Sequence, residues 1–356
     1  GGEPVAAALR KCPGLVMEPP DHKLYRRYSR AMIKLLSEEF SPELEQVSID
    51  ECYMDFTSVS HRYASPEEAA GLIRDRIFES FGFTVNVGIS TVKVLAKMAS
   101  DFEKPGKVHT LYPEEIAVKM WPLPVSDLFM VGRRSASKLE SLGLRTIGDL
   151  ARFDREALFS LLGRHGRQLH AYANGLDRSP VSSACQENAP KSIGNGLTFP
   201  RSLSGREEIC SGIAMLSDRV AVRLRRAGMK AAGVSLAIRD PDFRDISRQR
   251  RLEPPTCLAR ELSQAAVSLA EGCWNMESPV RALTVTALYL ISEDQAGVQL
   301  DLLGQADAPR RDRLERLDRT LDQIRAKYGR NAISPASSAG VCQGGVQEED
   351  EEGATS

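Results

Sequence analysis

The chain has 356 residues, 42% of them hydrophobic and 27% charged, the composition of an ordinary soluble protein long enough for two or three domains with sizeable cores. A net charge of −1 means that a nucleic-acid partner cannot be read from the total and has to be sought in how the charge is distributed. Seven scattered cysteines (Cys12, Cys52, Cys185, Cys210, Cys257, Cys273, Cys342), none spaced C-x-x-C, argue against a disulfide framework or structural zinc and for a reducing cytoplasm; neither a signal peptide nor a bilayer-spanning apolar run is present.

Residues 21–40 read as a helix with an approximate apolar stripe of Leu24, Tyr28, Ala31, Leu35 and Phe40. Then come two adjacent carboxylates, Asp50 and Glu51, between apolar, strand-like segments where neither folding nor solubility asks for a charged pair. On one continuous strand they would point to opposite faces, but at a hairpin tip or sharp bend they can converge. The alternation of Cys52, Met54 and Phe56 with Tyr53 and Asp55 predicts a strand leaving such a turn with one face on a core. Mg2+ prefers carboxylate oxygens and takes only one or two from protein, phosphates and water supplying the rest. A two-metal phosphoryl-transfer site is one reading of Asp50 and Glu51, and a solvated acidic turn the other.

Residues 66–81 read as a second helix, with Ala69, Ala70, Ile73, Ile77 and Phe81 inward, and 84–89 as a buried strand, giving an α+β order. Ser90 or Thr91 can cap the next helix, whose apolar positions are Leu95, Met98, Ala99 and Phe102. Lys93 and Lys97 share its other face, as a solvated basic face or as DNA contacts. Lys104 precedes Pro105 and is therefore presented from a helix end. Residues 177–190, rich in Ser, Asn and Pro, read as a linker. Between 191 and 260 there are 14 Lys and Arg against 7 Asp and Glu, clustered as Arg223-Arg225-Arg226-Lys230 and Arg248-Arg250-Arg251, an excess that phosphate neutralisation explains. Strands are expected at 234–239 and 282–288, and helices at 209–224, 258–273 and 310–328. From residue 332 on, small residues and an acidic run, 348–352, read as a disordered tail.

Ser48-Ile49-Asp50-Glu51-Cys52-Tyr53-Met54-Asp55 resembles the signature of the Y-family translesion DNA polymerases, especially the bacterial DNA polymerase IV group, usually written S-[IL]-D-E-A-Y-L-D. Val87-Gly88-Ile89-Ser90, then Lys93-Val94-Leu95-Ala96-Lys97-Met98-Ala99-Ser100-Asp101 and Lys104-Pro105-Gly106, is similar to that group's next block. The resemblance implies an α+β fold: a right-hand polymerase palm, a helical helix-hairpin-helix thumb and an α/β little-finger domain. It places the end of the fingers at 1–20, the palm at 21–121, the thumb at 122–177, a linker at 178–190, the little finger at 191–333 and a disordered acidic tail at 334–356. The function implied is template-directed addition of dNTPs to a primer 3′ end in translesion synthesis and DNA repair, with two Mg2+ ions. Asp50 and Glu51 would be catalytic and hold metal, and Lys104 would bind the nucleotide's phosphates.

The chain enters mid-pattern at Gly1-Gly2-Glu3-Pro4. The resemblance implies that the first palm strand, its metal-binding aspartate and most of the fingers precede this point, so an inactive or impaired chain is expected. Met54-Asp55-Phe56 echoes that strand, but Asp55 reads as structural.

Leu128-Phe129-Met130-Val131-Gly132-Arg133-Arg134-Ser135-Ala136-Ser137-Lys138-Leu139 resembles a helix-hairpin-helix, whose turn and helix start aim backbone N–H groups at a phosphate. Val131, Gly132, Arg133, Arg134 and Lys138 are the expected DNA contacts. The family usually writes P-G-V-G where this chain has Phe129-Met130-Val131-Gly132, so a residue that tolerates positive φ is lost and a distorted or rebuilt turn is expected. A looser second hairpin is suggested at Leu162-Gly163-Arg164-His165-Gly166-Arg167. Lys191-Ser192-Ile193-Gly194 resembles the opening of the little finger, with Lys191, Arg223 and Arg226 as further DNA contacts. Gln299-Leu300-Asp301-Leu302-Leu303 resembles the sliding-clamp pentapeptide Q-L-x-L-F, with Gln299, Leu300, Leu302 and Leu303 as contacts; an edge strand is the other reading. The implied partners are primer–template DNA, a dNTP and the sliding clamp, for a cytoplasmic monomer away from membranes. Two other classes remain: a non-catalytic DNA- and clamp-binding accessory of the same family, and a nucleotidyl cyclase, against which the thumb hairpin and basic C-terminal region speak.

Overall fold

A computed structural model describes residues 2–182, 190–295, 308–329, 332 and 333. The chain divides into two compact units, 1–187 and 188–356, each mixing helices and sheet.

In the first unit α1 (Val5–Lys11) buries none of its residues. α2 (His22–Glu39) begins where the Asp21 carboxylate accepts the Leu24 N–H, satisfying one orphan donor of the first turn. Phe40 is buried as predicted, but Met32 and Leu36 take the places of Ala31 and Leu35, one position round, because these are the residues that meet Ile73 and Ile77 of the facing helix. Tyr28 instead meets Phe81 and Phe83 edge-on, at 6.2 and 6.4 Å between ring centroids. β1 (Leu44–Gln46) and β2 (Cys52–Met54) pair antiparallel, with Leu44 opposite Met54, Glu45 opposite Tyr53 and Gln46 opposite Cys52. Cys52, Met54 and Phe56 pack on the same core, as their alternation predicts.

α3 (Pro66–Phe81) takes its first-turn cap from Ser65 and stops at Gly82, whose φ of 75° is the left-handed stop glycine tolerates. β3 (Val87–Ile89), shorter than predicted, pairs in parallel with β4 (Val108–Thr110) across α4 (Lys93–Ser100). A Cβ on Gly88 would overlap the Ala96 carbonyl and lie 2.6 Å from the Ser100 nitrogen, so α4 rests directly on the strand's backbone. Gly88→Ala is therefore expected to destabilise this unit by about 3 kcal/mol, the upper end for overpacking, read as a lower urea midpoint at unchanged slope.

α5 (Arg133–Ser141), α6 (Ile147–Arg152), α7 (Arg155–Leu162) and α8 (Arg164–Ala173) build a second core with α4 through Leu95, Met98, Leu139, Ile147, Leu158 and Leu169. Thr146 and Asp149 form a reciprocal capping box at the start of α6.

The second unit runs β5 (Ser192–Leu203), α9 (Arg206–Arg226), β6 (Met229–Arg239), β7 (Asp245–Thr256), α10 (Ala259–Cys273), β8 (Val280–Ser292) and α11 (Ala308–Tyr328). Its antiparallel sheet has the order β5-β8-β6-β7. One face is apolar and covered by α9 and α10, through Ile213, Leu216, Val220, Val234, Leu236, Leu283 and Val285. By register the other face carries Ser235, Ser247, Gln249, Thr284 and Thr286, all half-buried or exposed. Between 310 and 328 α11 has no fully buried residue, and it is seated by charge: Lys230 on Glu315 at 2.8 Å, Arg225 on Asp318 and Asp322, Arg311 on Glu261 and Arg325 on Asp218.

Candidate active site

The loop 47–51 closes the β1–β2 hairpin, so Asp50 and Glu51 stand at its tip. Two backbone N–H groups, from Val47 and Ser48, converge on the Glu51 carbonyl at 2.9 and 3.2 Å. The Ser48 hydroxyl accepts the Glu51 N–H at 3.1 Å and donates to Asp50 Oδ1 at 2.6 Å. The turn is thus fixed by its own backbone and Ser48, leaving both carboxylates exposed on the rim of a groove of about 610 Å³. The groove runs between the β1–β2 and β3–β4 pairs; Leu36, Ile73, Val85 and Val87 are among its apolar lining, and Lys97, Asp101 and Lys104 join the acids at its polar end.

Of the two readings of Lys93 and Lys97, a solvated basic face or DNA contacts, the solvated face is not found. Their side chains, 16% and 17% exposed, turn onto carboxylates. Lys97 Nζ lies 2.7 Å from Glu51 Oε1 and 3.1 Å from Asp101 Oδ2, and Lys104 Nζ lies 2.8 Å from Asp101 Oδ1. Burial works against the charge on Lys97, yet Glu51 and Asp101 hold its pKa above the usual lysine value. Burial likewise opposes the Asp101 carboxylate, while the bonds from Lys104 and Lys97 bring it below the usual range. Asp101 therefore adds stability above its unfolded pKa of 3.8, lost only as pH falls through the lower folded value. Burial pushes the neighbouring Tyr53 phenol up to about 12, so it stays protonated at neutral pH.

Lys93 donates to both oxygens of Glu45 and to the Pro180 carbonyl, and Glu45 Oε2 accepts the Ser182 N–H at 2.7 Å. Asp177 Oδ2 accepts the Val94 N–H at 3.2 Å. Neither Ser90 nor Thr91 caps α4: its N-cap is Val92, without a side-chain bond, and Ser90 Oγ donates to the Leu111 carbonyl instead. Asp177 takes over the capping from 83 residues away, a partnership no local spacing could announce. The first residues of the predicted linker are therefore fastened to the hairpin and to α4. The signal for Lys97 was present but unused: Lys97 and Asp101 are an i,i+4 pair on one helix face, and Lys104 is three further on. Asp55 is structural, its Oδ1 accepting the Thr57 N–H at 2.8 Å.

The turn before α5 is retained without glycine. The Val131 N–H bonds to the Leu128 carbonyl at 2.9 Å, and Met130 takes the left-handed conformation, φ 73°, that the third position of a type II turn demands. Gly132, the N-cap of α5, offers no side chain to the first-turn N–H groups, and Arg133, Arg134 and Lys138 are exposed around them. Met130 is 49% exposed, so little packing is lost on truncation. Met130→Gly is expected to stabilise the chain by about 1 kcal/mol, the strain of a side chain in the left-handed region less the entropy glycine adds to the unfolded chain, measurable as a rise in Tm.

In the second unit Lys191 and Arg226 are exposed, whereas Arg223 is half-buried and donates to the Gly194 carbonyl at 2.6 Å. Arg225 and Lys230, read with them as one phosphate-facing cluster, are instead neutralised by α11. Arg251 lies over the Tyr289 ring at 3.7 Å. Gln299, Leu300, Leu302 and Leu303 lie outside the described residues.

Among the described residues no three His, Cys, Asp or Glu side chains gather as a metal cage. Asp50 and Glu51 are hard oxygen donors, the right type for Mg2+ but too few to enclose it, which fits an ion that arrives with phosphate oxygens of its own.

Residues 1–101 match the impB/mucB/samB family and residues 190–302 the C-terminal domain of the same family. The DNA polymerase IV of Clostridium acetobutylicum is 41% identical over 332 residues, 93% of this chain and 81% of that protein. The DNA polymerase IV of Moorella thermoacetica is 37% identical, over 97% of this chain and 84% of its own length. A solved Y-family DNA polymerase chimera of Dbh and Dpo4 has a TM-score of 0.69 at 21% identity, covering 82% of this chain and 83% of that one, and so shares the fold. The chain belongs to the impB/mucB/samB family, the Y-family of DNA polymerases. Within it, the relatives it resembles over most of its length are the bacterial DNA polymerases IV.

Proposed function

We propose that the protein is a template-directed DNA polymerase of translesion synthesis, adding a deoxynucleotide to a primer 3′ hydroxyl. The observation that carries this reading is the meeting, at one end of one groove, of the hairpin-tip carboxylates Asp50 and Glu51 with Lys97 and Lys104. Residues 21–121 serve as the palm, 122–177 as the thumb and 191–333 as the little finger. Asp50 and Glu51 hold the metal; when bound, two Mg2+ ions supply the Lewis acidity that activates the primer hydroxyl and neutralises phosphate charge. Lys104 sets its charge against the triphosphate. The amide-rich start of α5, with Val131, Gly132, Arg133, Arg134 and Lys138, holds a duplex phosphate. The second unit, through Lys191 ahead of β5 and Arg223 and Arg226 at the end of α9, touches DNA backbone, which positions a duplex without reading its sequence. Residues 299–303 would reach the sliding clamp.

The test is primer extension with Mg2+ by the full chain beside the Asp50→Ala/Glu51→Ala variant, with retention on immobilised DNA followed against salt. Extension that the variant lacks, with retention falling steeply as salt rises, supports the polymerase. Equal extension by both overturns the assignment of the acids. Retention without extension, both by this chain and by a form lengthened at its N-terminus, favours a DNA- and clamp-binding accessory in damage tolerance, and no retention at all removes both readings.

A further inference from the structure

Charge alternates along the polar end of the groove in the order Glu51, Lys97, Asp101, Lys104, each group within 3.1 Å of the next. Glu51, one of only two carboxylates at the hairpin tip, is thus already matched by an ammonium 2.7 Å away. A divalent ion approaching Glu51 in the free protein meets that ammonium as a competitor for the same oxygen and as a like charge. A triphosphate reverses the balance, because it offers Lys97 and Lys104 stronger acceptors than the carboxylates they share and brings ligands for the ion. The lysine is placed to exchange partners: Lys97 stands one helical turn before Asp101 on α4, and Lys104 stands just past the helix end.

We propose that Lys97 is a positioning residue that makes metal binding at Asp50 and Glu51 conditional on the nucleotide: its ammonium occupies Glu51 in the free protein and passes to the triphosphate when a dNTP enters. The inference rests on the proposed polymerase site and adds to it an order of loading. Since coupling between two ligands is reciprocal, the same lysine should make Mg2+ strengthen nucleotide binding.

The test uses the full chain and Lys97→Met and Lys97→Arg variants. Mn2+ alone is titrated by electron paramagnetic resonance, and a fluorescent dATP analogue is titrated with and without Mg2+. Lys97→Met is expected to bind Mn2+ about tenfold more tightly than the native chain, with Mg2+ improving its nucleotide affinity by a correspondingly smaller factor, while Lys97→Arg keeps the native behaviour. Circular dichroism confirms that each variant is folded, and a lysine that merely ties the hairpin to α4 would move thermal stability alone. Unchanged Mn2+ affinity in Lys97→Met, with Mg2+-dependent nucleotide binding intact in both chains, overturns the role of Lys97 and leaves the polymerase site standing. Mn2+ binding that survives Asp50→Asn/Glu51→Gln places the ion elsewhere and also overturns it. If neither native chain nor variant binds Mn2+ or the Mg2+–nucleotide, the proposed site itself falls.

Discussion

Glu51→Gln is expected to reduce primer extension by roughly three orders of magnitude, the scale on which loss of one charge-stabilising group acts, while DNA retention and folding stay as they are. The change keeps the side chain's shape and removes only its charge. The hairpin tip does not depend on that charge, because its turn is closed by the Glu51 carbonyl and the Ser48 hydroxyl. The Lys97 pair also carries little of the fold, since the Glu51 side chain is 47% exposed and such pairs contribute about 1 kcal/mol or less. Loss of extension can then be assigned to chemistry. Asp50→Asn should behave alike, with Ser48 Oγ donating to the amide oxygen in place of the carboxylate. Extension at the native rate by both variants would remove the acids from the reaction and leave DNA binding as the function.

The hairpin was legible because its signals are local. Alternation at Cys52, Met54 and Phe56 fixed the face of β2, and an acid pair between two apolar strands fits only a turn. The helix of 66–81 was equally local: Ser65 and Pro66 start it and Gly82 stops it. Three features were not legible, for a common reason. The capping of α4 by Asp177, the bond of Ser182 to Glu45 and the pairing of Arg225 with α11 join residues separated by 83, 137 and 93 or more positions. Sequence spacing reports neighbours on one helix or strand; these partners are set by tertiary folding. The αL turn at Met130 was hidden differently. The backbone kept a conformation that the residue type disfavours, so a reading by propensity anticipated a distorted or rebuilt turn where the turn is retained.

Arg225→Ala is expected to destabilise the second unit by about 3 kcal/mol, the effect of leaving half-buried carboxylates without their partner. In the sequence Arg225 belongs to a run of basic residues suited to phosphate, yet its side chain is only 4% exposed. Its guanidinium makes two parallel bonds to Asp322, at 2.7 and 2.9 Å, a third to Asp318 at 3.0 Å and a fourth to the Cys257 carbonyl at 2.9 Å. This arginine therefore joins α9, the start of α10 and α11, and between 310 and 328 α11 has no fully buried apolar residue to replace it. The two acids should not respond alike. Burial raises the Asp318 carboxyl above its ordinary pKa despite Arg225, so the folded state already disfavours that charge and Asp318→Asn should be mild. Asp322→Asn breaks the bidentate pair and should approach the arginine deletion. Urea unfolding, with hydrogen exchange of the 308–328 amides, checks the order: Arg225→Ala and Asp322→Asn should release α11, and Asp318→Asn should not. If Arg225→Ala left those amides protected and weakened DNA retention instead, the arginine would belong to the phosphate-facing set after all. The pairing with α11 would then be incidental to the fold.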